Sequence, residues 1–182
     1  LHCATPAMQP PSAQASPSPI RAAQYIRMST EHQQYSTENQ GDVIRAYAAA
    51  LYLTPGTAGE RVLDDVPKRL EVEYFWAIDA QDFGRAADEL LARSLSASQL
   101  AALRDRLAHL HAHYEDVEPG DRYALTYLPG VGTELSKNGR RLAVVSGSDF
   151  AAAYFSMWLG DDPIDAGLRD ALRNGLSERA RN

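Results

Sequence analysis

Residues 123–145 read YALTYLPGVGTELSKNGRRLAVV, and this stretch decides the fold. Two short runs rich in strand-forming residues, at 123–128 and around 133–136, flank the turn ProGlyValGly at 129–132. Asn138 and Gly139 then separate the second run from ArgLeuAlaValVal at 141–145. A tight hairpin turn needs positive φ at both central residues, which Asn and Gly supply at little steric cost. The segment therefore predicts an antiparallel meander, introduced by a ProGlyAsp turn at 119–121.

Working upstream, Leu70, Val72, Tyr74 and Trp76 alternate with Glu71, Glu73 and Phe75, the pattern of a strand with one covered face. Asp79 with Asp82 supplies an N-terminal signal for a helix from Ala80 to about Ser94, with Phe83, Ala87, Leu90 and Leu91 on one stripe. Ser96 with Gln99 forms a capping box, after which Leu100, Leu103, Leu107, Leu110 and Tyr114 recur at steps of 3, 4, 3 and 4. Downstream, Ser148 is placed to cap a helix carrying Phe150, Tyr154, Phe155, Trp158 and Leu159. Asp162 followed by Pro163 opens another, ending at Gly175. Residues 22–53 read two ways: the alanines favour helix, whereas Tyr47, Leu51, Tyr52 and Leu53 tolerate a strand. The order of elements predicts an α+β fold, with helices packed on an antiparallel sheet.

The chain's 182 residues and 19.9 kDa suit one domain with a short appendage. Residues 1–21 hold five of the ten prolines and read as a disordered leader. Three basic and three acidic groups balance over residues 1–45, so the whole net charge of −6 falls on residues 46–182 and no nucleic acid partner is expected. A single cysteine, Cys3, excludes an internal disulfide framework and a multi-cysteine zinc site. No apolar run reaches the eighteen or so residues of a membrane span, so no membrane partner is expected. The first residues lack the pattern of a secretory signal, and the compartment stays open.

His109 and His113 share a helix face at i and i+4, a spacing that can serve a metal. Without an evident third ligand they read as imidazoles favoured by a helix C-terminus, and no metal or cofactor is expected. Asp116, Glu118 and Asp121 read as a solvated acidic turn.

Two resemblances extend this reading. Residues 25–40, YIRMSTEHQQYSTENQ, resemble the opening of the serine recombinases, the resolvase and invertase family. That likeness, over about residues 22–47, implies a nucleophilic role for Ser29 and a phosphate contact for Arg27. The remainder of that family's catalytic and DNA-binding parts has no counterpart here, so no DNA cleavage is expected.

From about Arg45 to Leu176 the chain resembles the chalcone isomerase-like family, in particular its bacterial members. The likeness is carried by YAAALYL (47–53), PKRLE (67–71), AQDF (80–83), VEPGDR (117–122), LTYLPGVGT (125–133), NG (138–139), SDF (148–150) and WLGDDPID (158–165). It implies an open-faced β-sandwich, a long sheet with helices on one side, here with the N-terminal strands missing. The implied organisation is a leader at 1–21, a recombinase-like fragment at 22–45, a chalcone isomerase-like domain at 46–176 and a tail at 177–182.

In that family an arginine and a tyrosine serve ring closure. The tyrosine position matches Phe83, which has no hydroxyl. The arginine is not matched in register, with Arg27 and Arg45 as the nearest. Leu90 and Met157 stand at positions that contact substrate in plant enzymes. These matches imply no catalytic residues. They imply a non-catalytic protein that binds a small apolar or fatty-acid-like molecule in the cleft between sheet and helices. Remnant isomerase activity and an inactive recombinase fragment are the alternatives. The expected ligand-contacting residues are Arg45, Tyr47, Phe83, Leu90, Tyr154, Met157 and Trp158, with Ala87 and Phe150 in the apolar wall and Tyr52 and Tyr127 as further polar candidates.

Overall fold

The computed structural model describes the backbone of residues 20–28, 45–55 and 57–179, and side chains over 47–55 and 57–174. Six strands, β1 (Ile20–Met28), β2 (Arg45–Leu53), β3 (Lys68–Tyr74), β4 (Arg122–Leu128), β5 (Gly132–Lys137) and β6 (Arg140–Val145), form one antiparallel sheet in sequence order. Helices α1 (Ala80–Ser94) and α2 (Ala97–His111) follow β3, and α3 (Ser148–Leu159) and α4 (Ala166–Arg179) follow β6. The α+β architecture is as expected.

The meander closes as its turn residues dictate. Asn138 and Gly139 adopt φ of 51° and 80°, and Lys137 pairs with Arg140 across them. Along β3, Lys68, Leu70 and Val72 are buried and the residues between them are half-covered, so the alternation marks one covered face. Its open face carries charge ladders instead. Arg69 donates to Glu71 at 2.9 Å and to Thr126 at 2.8 Å, and Arg122 pairs with Glu73 at 2.7 Å. Helices therefore have one apolar side of the sheet to pack on.

Four boundaries differ from the sequence reading. First, β3 ends at Tyr74 and Trp76 is 54% exposed. The ladder closes when the Tyr74 carbonyl accepts from Gly120 N and Tyr74 N donates to the Asp121 carbonyl, after which the chain bends away. Second, Ser148 is the first residue of α3, and Gly147, at φ 106°, occupies the cap. Arg106 and Asp149, 2.6 Å apart, secure that end. Third, α4 begins at Ala166, where Asp165 Oδ1 accepts from Leu168 N at 2.9 Å. Asp165 displaces the Asp162-Pro163 signal, and α4 continues through Gly175 to Arg179.

Fourth, the early part of the sheet is not missing. Ile20–Met28 pairs with β2 from Ile20 opposite Leu53 to Met28 opposite Arg45, and α4 lies against it. The segment contains Tyr and Ile and no Gly or Pro, which suits a strand on an open edge. Ile20 and Arg21, read as leader, belong to this strand; the remaining leader residues lie outside the described ones. Over 45–53 the ambiguity resolves as strand. Ala48, Ala49 and Ala50 are good helix formers, but the segment has ladders on both sides, and tertiary pairing overrides intrinsic propensity.

The capping box is formed as predicted: Ser96 accepts from Gln99 N and the Gln99 side chain accepts from Ser96 N. Leu103, Leu107 and Leu110 of α2 are buried. In α1, Asp79 takes the cap position without a side-chain bond, and Asp116 Oδ1 accepts from Ala80 N at 2.8 Å in its place.

Candidate functional site

The covered face of the sheet does not meet the helices everywhere. Between Tyr47 of β2, Leu70, Val72 and Tyr74 of β3, Tyr123 and Leu125 of β4, and the facing sides of α1 and α3, a cavity of about 370 Å³ remains. At about 30 Å³ per water this is room for about a dozen. Two local features shape its surroundings. Gly84 lets α1 approach α2 so closely that a Cβ there would sit 3.3 Å from the His111 ring. On the sheet side, large rings stand upright on alternate residues.

Those rings form a connected aromatic wall. Phe83 of α1 stacks on Tyr114 with centroids 5.0 Å apart and meets Tyr74 and Tyr123 edge-on at 5.4 and 5.2 Å. Edge-on and offset contacts at these spacings suit the ring quadrupoles and fix ring orientation. Tyr154 of α3 stacks on Phe150 at 5.3 Å and lies 6.2 Å from Trp158. Leu90, Met157, Trp158 and Ile164 complete the apolar lining.

The interior polar groups are phenols. Tyr114 and Tyr154 share a hydrogen bond of 2.9 Å between hydroxyls. The Tyr123 hydroxyl donates to the Glu115 carbonyl and accepts from Glu115 N, both at 2.7 Å. The Tyr74 hydroxyl has no hydrogen-bond partner among the described residues. Burial pushes the pKa of Tyr74 and Tyr114 well above the ordinary tyrosine value, with neighbouring tyrosines adding to the shift, and raises Tyr123 to about 12. All three are uncharged donors at neutral pH. Charged side chains in the lining come from the exposed side of α1, where Asp82 and Arg85 pair at 2.7 Å with Glu89 nearby in sequence.

Of the residues expected from the sequence, Tyr47, Phe83, Leu90, Tyr154, Met157 and Trp158 all line this cavity, as does Ala87. Phe150 is not in the lining; it is fully buried beneath Tyr154, packed against the next turn of the same helix. Arg27 and Arg45 lie in β1 and β2, with the Arg27 backbone opposite Tyr47. Their side chains, and Ser29 entirely, lie outside the described residues. Tyr52 pairs with Arg69 on the open face, because it is an odd step away from Tyr47 in a period-two element.

Tyr127 shares the covered face but belongs to another cluster, donating its hydroxyl to Asp65. Buried Lys68 stands over the Tyr127 and Phe155 rings at 5.0 and 5.5 Å and donates to the Asp64 carbonyl at 2.7 Å. Burial holds the Lys68 ammonium down to about 8 against the pull of Asp65 and Asp64.

The sequence reading missed Tyr74, Tyr114 and Tyr123 as cavity residues. The alternation already put Tyr74 on the covered face, and Tyr114 continues the leucine spacing one turn past the end of α2.

The histidine pair resolves locally: His113 Nδ1 donates to the His109 carbonyl at 2.7 Å. Among the described residues no group of three or more His, Cys, Asp or Glu side chains converges. The acidic turn is tied into the protein. Asp121 accepts from Glu118 N at 3.0 Å, from Asn138 Nδ2 at 2.7 Å and from Lys137 Nζ at 3.0 Å, which holds its carboxyl down to about 2. No described helix is long and apolar enough to cross a membrane.

Comparison with known families agrees with this architecture. The chalcone isomerase-like family model matches residues 40–173, and the chain belongs to that family. Among solved structures, a fatty-acid binding protein of Arabidopsis thaliana is similar at a TM-score of 0.62, covering 93% of this chain and 94% of that one at 12% identity. At that identity the likeness is one of fold. No curated protein sequence matches the chain.

Proposed function

We propose that the protein is a non-catalytic binding module that holds a small apolar or fatty-acid-like molecule in the cavity between sheet and helices. The observation that carries this reading is the cavity itself, about 370 Å³ and lined chiefly by aromatic and aliphatic side chains. A void of that size is too large to be a packing defect and lies in the range of small-molecule sites. The similar fold of a plant fatty-acid binding protein supports the ligand class. Ring closure by a relative of the chalcone isomerases needs a donor where Phe83 stands, and a phenyl ring has none.

The domain reading follows the same line. Residues 46–176 are taken as the binding domain, supported by the family match over 40–173. The recombinase-like residues 22–45 are read as an added segment, of which residues 22–28 lie in the edge strand β1 with Arg27 within its ladder.

The test is calorimetric titration of the 182-residue chain with decanoate and with longer fatty acids, beside a thermal melt that shows the chain folded. Saturable one-site binding is expected. A folded protein that takes up neither acid nor a neutral chain of equal length would overturn the proposal.

A further inference from the structure

Resting on the binding role proposed above, we propose that the Tyr74 hydroxyl is the donor that anchors the ligand, and that the ligand carries an oxygen acceptor at the end that meets it. The argument begins with how the other interior hydroxyls are used. Tyr114 and Tyr154 share one hydrogen bond, which fixes both hydroxyls and uses one of their two protons, and Tyr123 is engaged twice by the backbone of Glu115. Tyr74 lines the same cavity with no hydrogen-bond partner among the described residues.

The Tyr74 ring cannot readily swing away to find one. Phe83 and Tyr123 meet it edge-on at 5.4 and 6.2 Å, with interplanar angles of 76° and 79°. Its backbone is pinned at both ends of the peptide by Asp121 and Gly120. A phenol that faces the cavity with its donor unused gains a hydrogen bond when an occupant brings an acceptor to it. It stays protonated, so it can donate to a carbonyl, an ether, an alcohol or a carboxylate alike. The tail of such a molecule then lies along Leu90, Met157 and Trp158.

The experiment compares wild type with Tyr74→Phe, which removes one oxygen and keeps the ring. Three probes of similar length are titrated calorimetrically: methyl decyl ketone, decanoate and dodecane. The ketone carbonyl stretch is also read by infrared difference spectroscopy. Tyr74→Phe is expected to weaken the ketone and the acid by roughly three- to tenfold, to leave dodecane unchanged, and to abolish a red shift of the carbonyl band seen in wild type. Tyr127→Phe, which removes a hydroxyl engaged by Asp65 in a separate cluster, is the comparison for a purely structural effect and should leave the band shifted.

Equal affinities in wild type and Tyr74→Phe with an unshifted band would overturn the anchor while leaving the binding role standing. Wild type that is folded and binds none of the three would overturn both. A stronger loss for the acid than for the ketone would favour a carboxylate as the natural head group, and the reverse a neutral oxygen; either supports the anchor.

Discussion

The hydroxyls of Tyr114 and Tyr154 meet at 2.9 Å, one from the turn that follows α2 and the other from the middle of α3. That single bond ties two segments forty residues apart across the wall of the cavity. Burial pushes the pKa of both phenols up, so the pair stays neutral and intact across the physiological range.

Removing one partner strands the other. Tyr114→Phe is expected to lower the free energy of unfolding by about 1–2 kcal/mol, because the Tyr154 hydroxyl is then left without its partner. Adding Tyr154→Phe should cost little more, since two apolar rings then face each other. Urea denaturation of the two single variants and the double variant measures the coupling; simple additivity would show that the bond contributes nothing of its own.

Filling the cavity separates binding from folding. Leu90→Trp is expected to keep the thermal midpoint within a few degrees of wild type while abolishing uptake of decanoate. In wild type, decanoate at about a hundred times its dissociation constant should stabilise by roughly 2.7 kcal/mol. For a chain of this size that is an upward shift of about 5–10 °C, readable by scanning fluorimetry.

His111 sets an acid limb to stability. Its ring is largely buried behind Tyr154, its Nε2 has no partner among the described residues, and burial lowers its pKa below the ordinary histidine value against the weak pull of Asp88 at 3.6 Å. The unfolded chain therefore takes up the proton first as pH falls. The stability tied to this ring is complete above about pH 6.5 and is lost as pH drops through the lower folded value. His111→Phe should flatten the dependence of the urea midpoint between about pH 7 and pH 5, and NMR titration should place the folded His111 pKa below the ordinary histidine value.

Lys68 acts at the other end of the scale. Its folded pKa of about 8 lies below the model-peptide value of 10.5, so between those two values the unfolded chain holds the proton more tightly than the folded one. Lys68 therefore adds a contribution that raises stability over this window as pH rises. Denaturation midpoints of Lys68→Met, compared with wild type from pH 7.5 to 10.5, should lack that increment; parallel curves would show that the ammonium is not destabilised by burial.

Much of the fold is legible in the chain because the signals are local. Asn138-Gly139 dictates a hairpin through backbone sterics alone, and Ser96 with Gln99 satisfies the donors of its own helix end. Where a competing local signal exists, tertiary context decides. Asp165 captures Leu168 N and so starts α4 three residues after Pro163, and the alanines of β2 become strand because both neighbours are strands. Strand β1 was hidden for a different reason: nothing in Ile20–Met28 announces that its partner is Arg45–Leu53, beyond an interval outside the described residues.

The site divides the same way. Phe83, Leu90, Tyr154 and Trp158 fall on helical stripes, and a stripe facing the sheet must line whatever lies between, whereas Met157 comes from the family likeness. Phe150 shares that stripe yet misses the cavity, because spacing gives direction around a helix and not position along the void. Tyr74 and Tyr123 escaped notice because a strand's covered face reads as core; only three-dimensional packing reveals that the core is hollow at those rings.

The register of β1 against β2 carries a practical lesson for anyone who wishes to trim this protein. Cutting the chain at residue 40, where the family likeness begins, would keep every described residue of the cavity lining yet peel away the selvage that covers the outer side of Arg45–Leu53. The bared peptide groups would then be open to pairing with neighbouring molecules, and the shortened protein is expected to associate more readily than the full chain.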